Sequence, residues 1–245
     1  MTAVFRSDAC THAGTIRSRN EDVVVQRPDL GLWAVADGAG GHGGGDIAAA
    51  AAATAMESIP AGLSAAEMLA QLRLRLSAAD AELRRRAAAL GGGRVMATTV
   101  VALVIRSGHF ACLWAGDSRA YRLRDGQLAC LTRDHSLVQD LVDRGELDAE
   151  SAERHPQANV ILRALGGGEG GPGLDKVSDA LVPGDSFLLC SDGLFKALPE
   201  SAIGQLLRQG ADAKRLVSEA VKAGARDNVS AVVLRHAAAE DTLRR

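Results

Sequence analysis

Aromatic residues and cysteines are scarce in this chain of 245 residues: aromatic residues make up 3% of it, and it has 4 cysteines. The cysteines are widely separated in apolar surroundings, at Cys10, Cys112, Cys130 and Cys190. This spacing excludes a paired zinc-binding motif or a redox-active pair of thiols. It indicates reduced thiols in the core of a cytoplasmic protein.

An excess of charge of one sign is also missing. The 28 basic and 30 acidic residues leave a formal net charge of −2, so the sequence predicts no basic surface for nucleic acid or for an anionic membrane. The longest apolar stretch that could be helical, residues 47–56, is too short to span a bilayer, and no basic segment followed by an apolar one opens the chain. We therefore predict a cytoplasmic protein that binds neither nucleic acid nor membrane.

The hydrophobic content, by contrast, is high. At 47% it suffices for a sizeable core, and the uniform composition predicts one domain over residues 1–245. Alternation and helical spacing predict strands at 23–25, 32–36, 98–105, 109–115, 120–123, 127–131, 185–190 and 229–234, and helices at 47–58, 64–90, 136–154, 200–208 and 212–223. Because strands and helices form separate blocks, the pattern favours an α+β fold of antiparallel sheets covered by helices.

Four acidic clusters each end a predicted strand or lie in a tight turn: Glu21–Asp22, Asp37–Gly38, Asp192–Gly193 and Asp227–Asn228. A single Asp–Gly pair is more often a turn than a ligand, but the four together favour a converging site. Carboxylates and a glycine carbonyl without nearby His or Cys suit Mg²⁺ or Mn²⁺. If Asp37 bridges two such ions, a shared water can become hydroxide, which predicts hydrolysis of phosphate esters.

An arginine beside these acids would complete such a site. A guanidinium group binds phosphate oxygens in a bidentate way that lysine cannot reproduce. Arg17 and Arg19 both stand close enough in the sequence to fill this role. The residue types alone leave the choice between them open.

Six motifs follow one another in order between about residues 14 and 234. They are Gly14-x-x-Arg17-x-x-Asn20-Glu21-Asp22, Val35-Ala36-Asp37-Gly38-x-Gly40-Gly41-His42, Ala97-Thr98-Thr99, Ala115-Gly116-Asp117-Ser118-Arg119, Ser191-Asp192-Gly193 and Arg226-Asp227-Asn228. In this order they resemble the bacterial branch of the metal-dependent serine/threonine protein phosphatases, type 2C. The resemblance implies a central β-sandwich with helices on both outer faces, a binuclear metal centre at one end, and a flap segment of about residues 134–175 beside the cleft.

The resemblance also implies roles for the metal ligands. Asp37 would bridge both ions, and the carbonyl oxygen of Gly38 would ligate one of them. Asp192 and Asp227 would hold the other ion. Asp117, together with Asp192, resembles a weaker third metal site.

Other matched residues would act around these ligands. Glu21 would bind through water, and Asp22 would orient the ligands. Arg17 matches the phosphate-binding arginine of the family, whereas Arg19 is expected on the surface. Asn228 is a candidate for structural support.

One position departs from the pattern of the eukaryotic relatives, which place a histidine directly after Asp–Gly, where it is thought to protonate the leaving group. Here that position is Ala39. His42 is the nearest candidate for this acid, but its place in a glycine-rich turn favours a structural hydrogen bond over catalysis.

Together these features predict a cytoplasmic, monomeric Mn²⁺- or Mg²⁺-dependent phosphoprotein phosphatase with two tight ions and a weaker third one. Metal-bound hydroxide would attack phosphoserine or phosphothreonine directly, without a phosphoenzyme. Its partners would be a phosphorylated protein and, by analogy, a bacterial Ser/Thr kinase, including kinases that control secretion systems. The alternative is a catalytically weak phosphoprotein-binding module, which has no reason to keep so many mutually repelling carboxylates.

Overall fold

Two antiparallel β-sheets pack face to face, with helices on both outer faces. The computed structural model describes residues 5–39, 44–168 and 171–236. The strands are β1 Phe5–His12, β2 Asp22–Arg27, β3 Leu32–Ala39, β4 Ala97–Thr98, β5 Val100–Arg106, β6 His109–Ala115, β7 Arg119–Arg124, β8 Gln127–Cys130, β9 Asp175–Ala180, β10 Ser186–Cys190 and β11 Val229–His236. The helices are α1 Gly45–Glu57, α2 Ala65–Leu90, α3 Leu137–Asp143, α4 Ala149–Glu153, α5 Asp192–Ala197, α6 Glu200–Arg208 and α7 Ala213–Lys222.

The strand order confirms the predicted α+β sandwich. One sheet has the order β1-β11-β10-β7-β8, and the other has the order β2-β3-β5-β6-β9, with β4 paired to β3. In the first sheet, β1 and β11 pair along their whole length, from Phe5 opposite His236 to His12 opposite Val229. None of the helices in the described part of the chain is both long and apolar enough to cross a membrane.

Three apolar layers hold the four structural layers together. The layer between the sheets contains Trp33 and Val35 of β3, whereas the alternate residues Ala34 and Ala36 face α1 and α2 on the other side. This is the expected result of strand geometry, in which successive side chains point to opposite faces. On the opposite surface α5, α6 and α7 cover the sheet that contains β10 and β11. The core therefore fixes the ends of the central strands, where the acidic motifs lie.

Several elements differ from the sequence predictions. The predicted helix 136–154 is wrong, because Gly145 has a positive φ of 72° and separates α3 from α4. The predicted strand 98–105 is interrupted at Thr99, since β4 pairs with the end of β3. Strands β1 and β9, and the short helix α5, were not predicted.

The expectation of four core thiols is also wrong in part. Cys112 and Cys190 are buried, but Cys10 is only half-buried and Cys130 is exposed. Cys130 ends the strand β8 at the edge of its sheet, where one side of the strand has no neighbour among the described residues. Its Sγ donates to the carbonyl oxygen of Thr132 at 3.3 Å.

Candidate metal centre

The acidic motifs meet at one end of the sandwich. Asp22 and Asp37 are direct partners in the pairing of β2 with β3. Asp192 follows β10, and Asp227 precedes the antiparallel neighbour β11, so both lie at the same end of the other sheet. Asp117 follows β6 at this end as well. Pairing of the central strands thus brings together five carboxylates that are far apart in the sequence.

The backbone of Asp37 is held by two threonines of the Ala97–Thr98–Thr99 motif. Its carbonyl oxygen accepts hydrogen bonds from Thr98 Oγ1 at 3.0 Å and from the Thr99 amide at 2.9 Å. Its own amide donates to Thr99 Oγ1 at 3.2 Å. Asp37 is half-buried, and burial, followed by the charges of Asp22 and Asp192, raises its pKa well above the ordinary value.

Asp22 is only 6% exposed and is positioned by two serines. Its Oδ2 accepts hydrogen bonds from Ser191 Oγ at 2.8 Å and Ser230 Oγ at 2.6 Å, whereas its buried Oδ1 has no partner. Burial raises the pKa of Asp22 to about 6, although the two serine hydrogen bonds act in the opposite direction. The serines belong to β11 and to the turn before α5, so Asp22 joins the two sheets.

Asp117 carries a second unpartnered oxygen. The residue is 4% exposed, and its buried Oδ1 has no hydrogen-bond partner. Burial, with the charge of Asp192 next in importance, raises the pKa of Asp117 to about 7. Buried carboxylate oxygens without a donor are costly unless a cation neutralises them. Oxygen atoms of this kind fit a hard divalent cation.

Without its divalent ions the protein is expected to lose stability as the pH rises from about 4 to 7. The pKa values of Asp22 and Asp117 are higher in the folded chain than in the unfolded chain, so protonation of these two groups stabilises the fold. This stabilisation is complete below an ordinary aspartate pKa, and it is lost as the pH rises through about 6 for Asp22 and about 7 for Asp117. The loss from Asp22 is on the order of 3 kcal/mol. Melting temperatures in EDTA should therefore be lower at pH 8 than at pH 5, with a smaller difference for Asp22→Asn. An equal or higher value at pH 8 would contradict the assignment.

The side chain of Arg17 neutralises a further acid of the site, Asp227. Arg17 donates to Asp227 in a bidentate pair, Nε to Oδ1 at 2.9 Å and a terminal nitrogen to Oδ2 at 2.8 Å. Burial alone would raise the pKa of Asp227, but the hydrogen bonds from Arg17 lower it. Arg19 is exposed and contributes its carbonyl oxygen, which accepts from Asn228 Nδ2 at 2.9 Å. The structure thus brings Arg17, and not the side chain of Arg19, to the carboxylates.

Asn228 ties the first acidic motif to β11. Its Oδ1 accepts from the amide of Glu21 at 2.8 Å, and its Nδ2 also donates to the carbonyl oxygen of Ala13 at 3.1 Å. Gly193 packs against the same residue, since a Cβ atom at this position would lie 2.1 Å from the carbonyl oxygen of Asn228. Asn228 therefore links the backbones of Ala13, Arg19 and Glu21 to the start of β11.

Glu21 and the carbonyl oxygen of Gly38 both lie close to the first residue of α1. A Cβ atom placed on Gly45, the first residue of α1, would lie 2.5 Å from Glu21 Oε2 and 2.8 Å from the carbonyl oxygen of Gly38. Both oxygen donors therefore approach α1 closely. His42 lies outside the described residues.

Lys196 is a part of this site that the sequence motifs did not indicate. Its Nζ donates to Asp192 Oδ2 at 2.5 Å and to Asn159 Oδ1 at 2.6 Å. Burial lowers the pKa of Lys196, but the carboxylates of Asp192, Asp117 and Asp37 raise it to a net value above normal. The spacing of four residues from Asp192 on a helix is the signal that could have identified it.

The predicted flap segment covers a cavity of about 1000 Å³ beside Asp117. Its base is anchored by a bidentate pair between Arg119 and Asp134, with distances of 2.9 and 2.8 Å. His135 Nδ1 accepts from the amide of Gly116 at 3.2 Å, so Nε2 carries the proton and donates to Asp175 Oδ2 at 3.1 Å. The flap is therefore fastened directly to the turn that presents Asp117.

The donor set fits Mg²⁺ or Mn²⁺ in chemistry, because carboxylate and carbonyl oxygens predominate and two buried oxygens lack donors. As they stand, no three acidic, histidine or cysteine side chains in the described ranges are close enough to enclose an ion. Asp192 and Asp227 are instead turned toward Lys196 and Arg17. Like charges would otherwise repel one another strongly at this end of the sandwich.

The two-sheet sandwich and its acidic end define the class of metal-dependent phosphatase folds that the motifs indicated. The family model described as Protein phosphatase 2C matches residues 11–232, and the chain belongs to this family. The resemblance inferred from the motifs is therefore confirmed.

Curated relatives agree with this membership. Over 236 residues the chain is 35% identical to the serine/threonine protein phosphatase PstP of Mycobacterium tuberculosis, a match that covers 95% of this chain and 45% of PstP. The chain thus spans about half the length of that relative. It is 34% identical over 245 residues to the serine/threonine phosphatase stp of Listeria monocytogenes, with 96% and 95% of the two chains covered.

Solved structures share the same architecture. PppA, described as a key regulatory component of T6SS in Pseudomonas aeruginosa, has 39% sequence identity and a TM-score of 0.87, with 96% of this chain and 99% of that chain covered. The catalytic domain of PstP in complex with 2 manganese ions has 33% identity and a TM-score of 0.79, with the same coverage.

Proposed function

We propose that this chain removes phosphate from phosphoserine and phosphothreonine in proteins, with Mn²⁺ or Mg²⁺ as cofactor. The observation that carries the proposal is the convergence of five carboxylates at one end of the sandwich, with unpartnered buried oxygens on Asp22 and Asp117 and an arginine beside them. Such a cluster is unfavourable unless cations neutralise it. The manganese complex of a relative with 33% identity supports the choice of metal.

The proposed ligands divide into two groups. Asp37 would bridge two ions, and the Gly38 carbonyl and, through water, Glu21 would complete the site of one of them. Asp192 and Asp227 would hold the other ion. When bound, the ions would lower the pKa of a water molecule so that hydroxide attacks phosphorus directly, and they would neutralise phosphoryl oxygens.

Other residues would position these ligands and the substrate. Asp22, fixed by Ser191 and Ser230, would orient the ligands through its position between the two sheets. Arg17, whose side chain is 60% exposed, would turn from Asp227 to donate two hydrogen bonds to phosphoryl oxygens. We propose that His42, because it lies in a glycine-rich turn, braces that turn and is not the acid that protonates the leaving group.

The test is release of phosphate from a phosphothreonine peptide, measured with Mn²⁺, with Mg²⁺ and with EDTA. Turnover that depends on either ion is the expected result. The alternative function, a catalytically weak module that binds phosphoproteins, predicts instead that the peptide binds and stays phosphorylated. Binding without release in all three conditions would therefore overturn the proposal.

The partners follow from the family and remain part of the proposal. We propose a phosphorylated protein as substrate and a bacterial Ser/Thr kinase as the opposing enzyme, with the phosphatase acting as a monomer. PppA, described as a regulatory component of T6SS, supports a link to secretion control by similarity alone. Phosphosites that accumulate when the protein is deleted would identify the substrate.

Asp117 would serve a third, weaker ion that it shares with Asp192. Asp117→Ala is expected to retain two tight Mn²⁺ ions and to lose about 10-fold to 100-fold in turnover, because one of the two carboxylates that would hold the third ion is removed. Calorimetry counts the tight ions, and peptide dephosphorylation gives the turnover. Loss of a tight ion in this variant would make Asp117 a ligand of the central pair instead.

A further inference from the structure

We propose that the ammonium group of Lys196 is a tethered cation that competes with the weaker third ion for Asp192, and that it fastens the flap to the metal centre through Asn159. The inference rests on the proposed function, since it concerns the same carboxylates. It assigns a regulatory role to a side chain outside the six motifs. Lys196 acts here as a positioning residue.

The geometry places one ammonium group between two elements. Lys196 and Asp192 lie four residues apart on α5, a spacing that brings side chains to the same face of a helix. Nζ is 2.5 Å from Asp192 Oδ2 and 2.6 Å from Asn159 Oδ1. Asn159 belongs to the flap, so a single side chain links the flap to a proposed metal ligand.

Asp117 stands beside this link. Asp117, Lys196 and Asn159 line the same cavity of about 1000 Å³. Lys196 donates to Asp192, while the buried Oδ1 of Asp117 has no partner. A divalent ion shared by Asp117 and Asp192 would have to displace the ammonium group from Asp192, because two cations bound to the same carboxylate repel each other. The third site would be weak for this reason.

Displacement would also release the flap. Within the flap region, the amide of Leu137 donates to the carbonyl oxygen of Val160 at 2.9 Å, and the amide of Leu162 donates to the carbonyl oxygen of His135 at 2.7 Å. These bonds hold the segment to its own base. The Asn159–Lys196 hydrogen bond joins it to α5 instead, so binding of the third ion would free residues near Asn159 from the metal centre.

Calorimetry with Mn²⁺ on the full chain tests the competition. Lys196→Met is expected to bind the third ion about tenfold more tightly than the unaltered protein, with the two tight sites unchanged. Lys196→Arg keeps the charge and should keep the weak third site. Lys222→Met is the control, because Lys222 also pairs with an acid on its own helix, Glu219 at 2.8 Å on α7, but is more exposed and does not line the cavity.

Hydrogen exchange of residues 155–162 tests the link to the flap and does not depend on activity. In the unaltered protein, exchange should become faster over the Mn²⁺ range that fills the third site, and Asp117→Ala should abolish this response. In Lys196→Met, exchange should be fast at all Mn²⁺ concentrations. An exchange rate of residues 155–162 that stays constant while the third ion binds to the unaltered protein would overturn the proposed link.

The outcomes separate the two proposals. If the unaltered protein binds two Mn²⁺ ions tightly but Lys196→Met binds the third no better than Lys222→Met does, the competition is refuted and the proposed function stands. If the unaltered protein binds no ion tightly, the proposed metal centre itself fails. A circular dichroism spectrum like that of the unaltered protein establishes that each variant is folded.

Discussion

Replacing Asp37 by alanine is expected to abolish turnover, with a loss of about 10³-fold or more, because the carboxylate is proposed to contact both ions. The backbone bonds of Asp37 to Thr98 and Thr99 do not involve the carboxylate, so the fold should persist. Without metal the variant should even melt at a higher temperature, since removal of the carboxylate relieves repulsion from Asp22 and Asp192. Peptide dephosphorylation and thermal melting in EDTA measure the two effects.

Asp179→Ala is the matched control for this experiment. Asp179 lies on β9 as an exposed carboxylate that accepts from Arg122 at 3.0 Å, so its loss removes the same group away from the cluster. Activity should stay near that of the unaltered protein, and the melting temperature in EDTA should not rise. Full Mn²⁺-dependent activity of Asp37→Ala would refute the proposed site.

Arg17→Ala is expected to lower kcat/KM by about 30-fold to 150-fold, equivalent to roughly 2 to 3 kcal/mol, the range of a charge-assisted hydrogen-bonded contact. Inhibition by inorganic phosphate should weaken in parallel, because the same guanidinium group would bind the product. The affinity for Mn²⁺ should change less, since Arg17 competes for Asp227 and does not supply a ligand. Steady-state kinetics and calorimetry distinguish these effects.

Arg19→Ala provides the control, because Arg19 is exposed and contributes only its backbone carbonyl to the contact with Asn228 described above. Its activity should be close to that of the unaltered protein. If Arg19→Ala lost much of its activity and Arg17→Ala lost none, the phosphate-binding role would belong to Arg19 and not to Arg17.

The acids of the site could be predicted because strand patterns position them. Two apolar runs end in Asp37 and Asp192, and the short turn between β2 and β3, together with their alternation, sets Asp22 opposite Asp37. The positioning side chains could not be predicted in the same way. Ser191 and Ser230 contact Asp22 across more than 160 residues of chain, and no local pattern records such a contact.

The fold could be predicted where burial of one face of an element gives its apolar residues a regular spacing. Strands of the central sandwich and the long helix α2 have regular apolar positions that face a core. Strand β9, by contrast, has mostly exposed residues and a weak alternation, so its position depends on pairing with β6. The flap helices α3 and α4 are short, and Gly145 between them, with its positive φ, separates them into two helices.

The complete pairing of β1 with β11 determines how far from the acidic residues a segment attached at either end of the described chain begins. Phe5 and His236 stand opposite each other at one end of these strands, whereas His12 and Val229 stand at the other end, beside Asp227. Seven steps of extended backbone separate the two ends, a length of roughly 23 Å. A chain joined before residue 5 or after residue 236 therefore starts far from the acidic cleft. It could obstruct the cleft only by folding back along the sandwich, and a long, flexible linker would be needed to bring a tethered phosphoprotein to it.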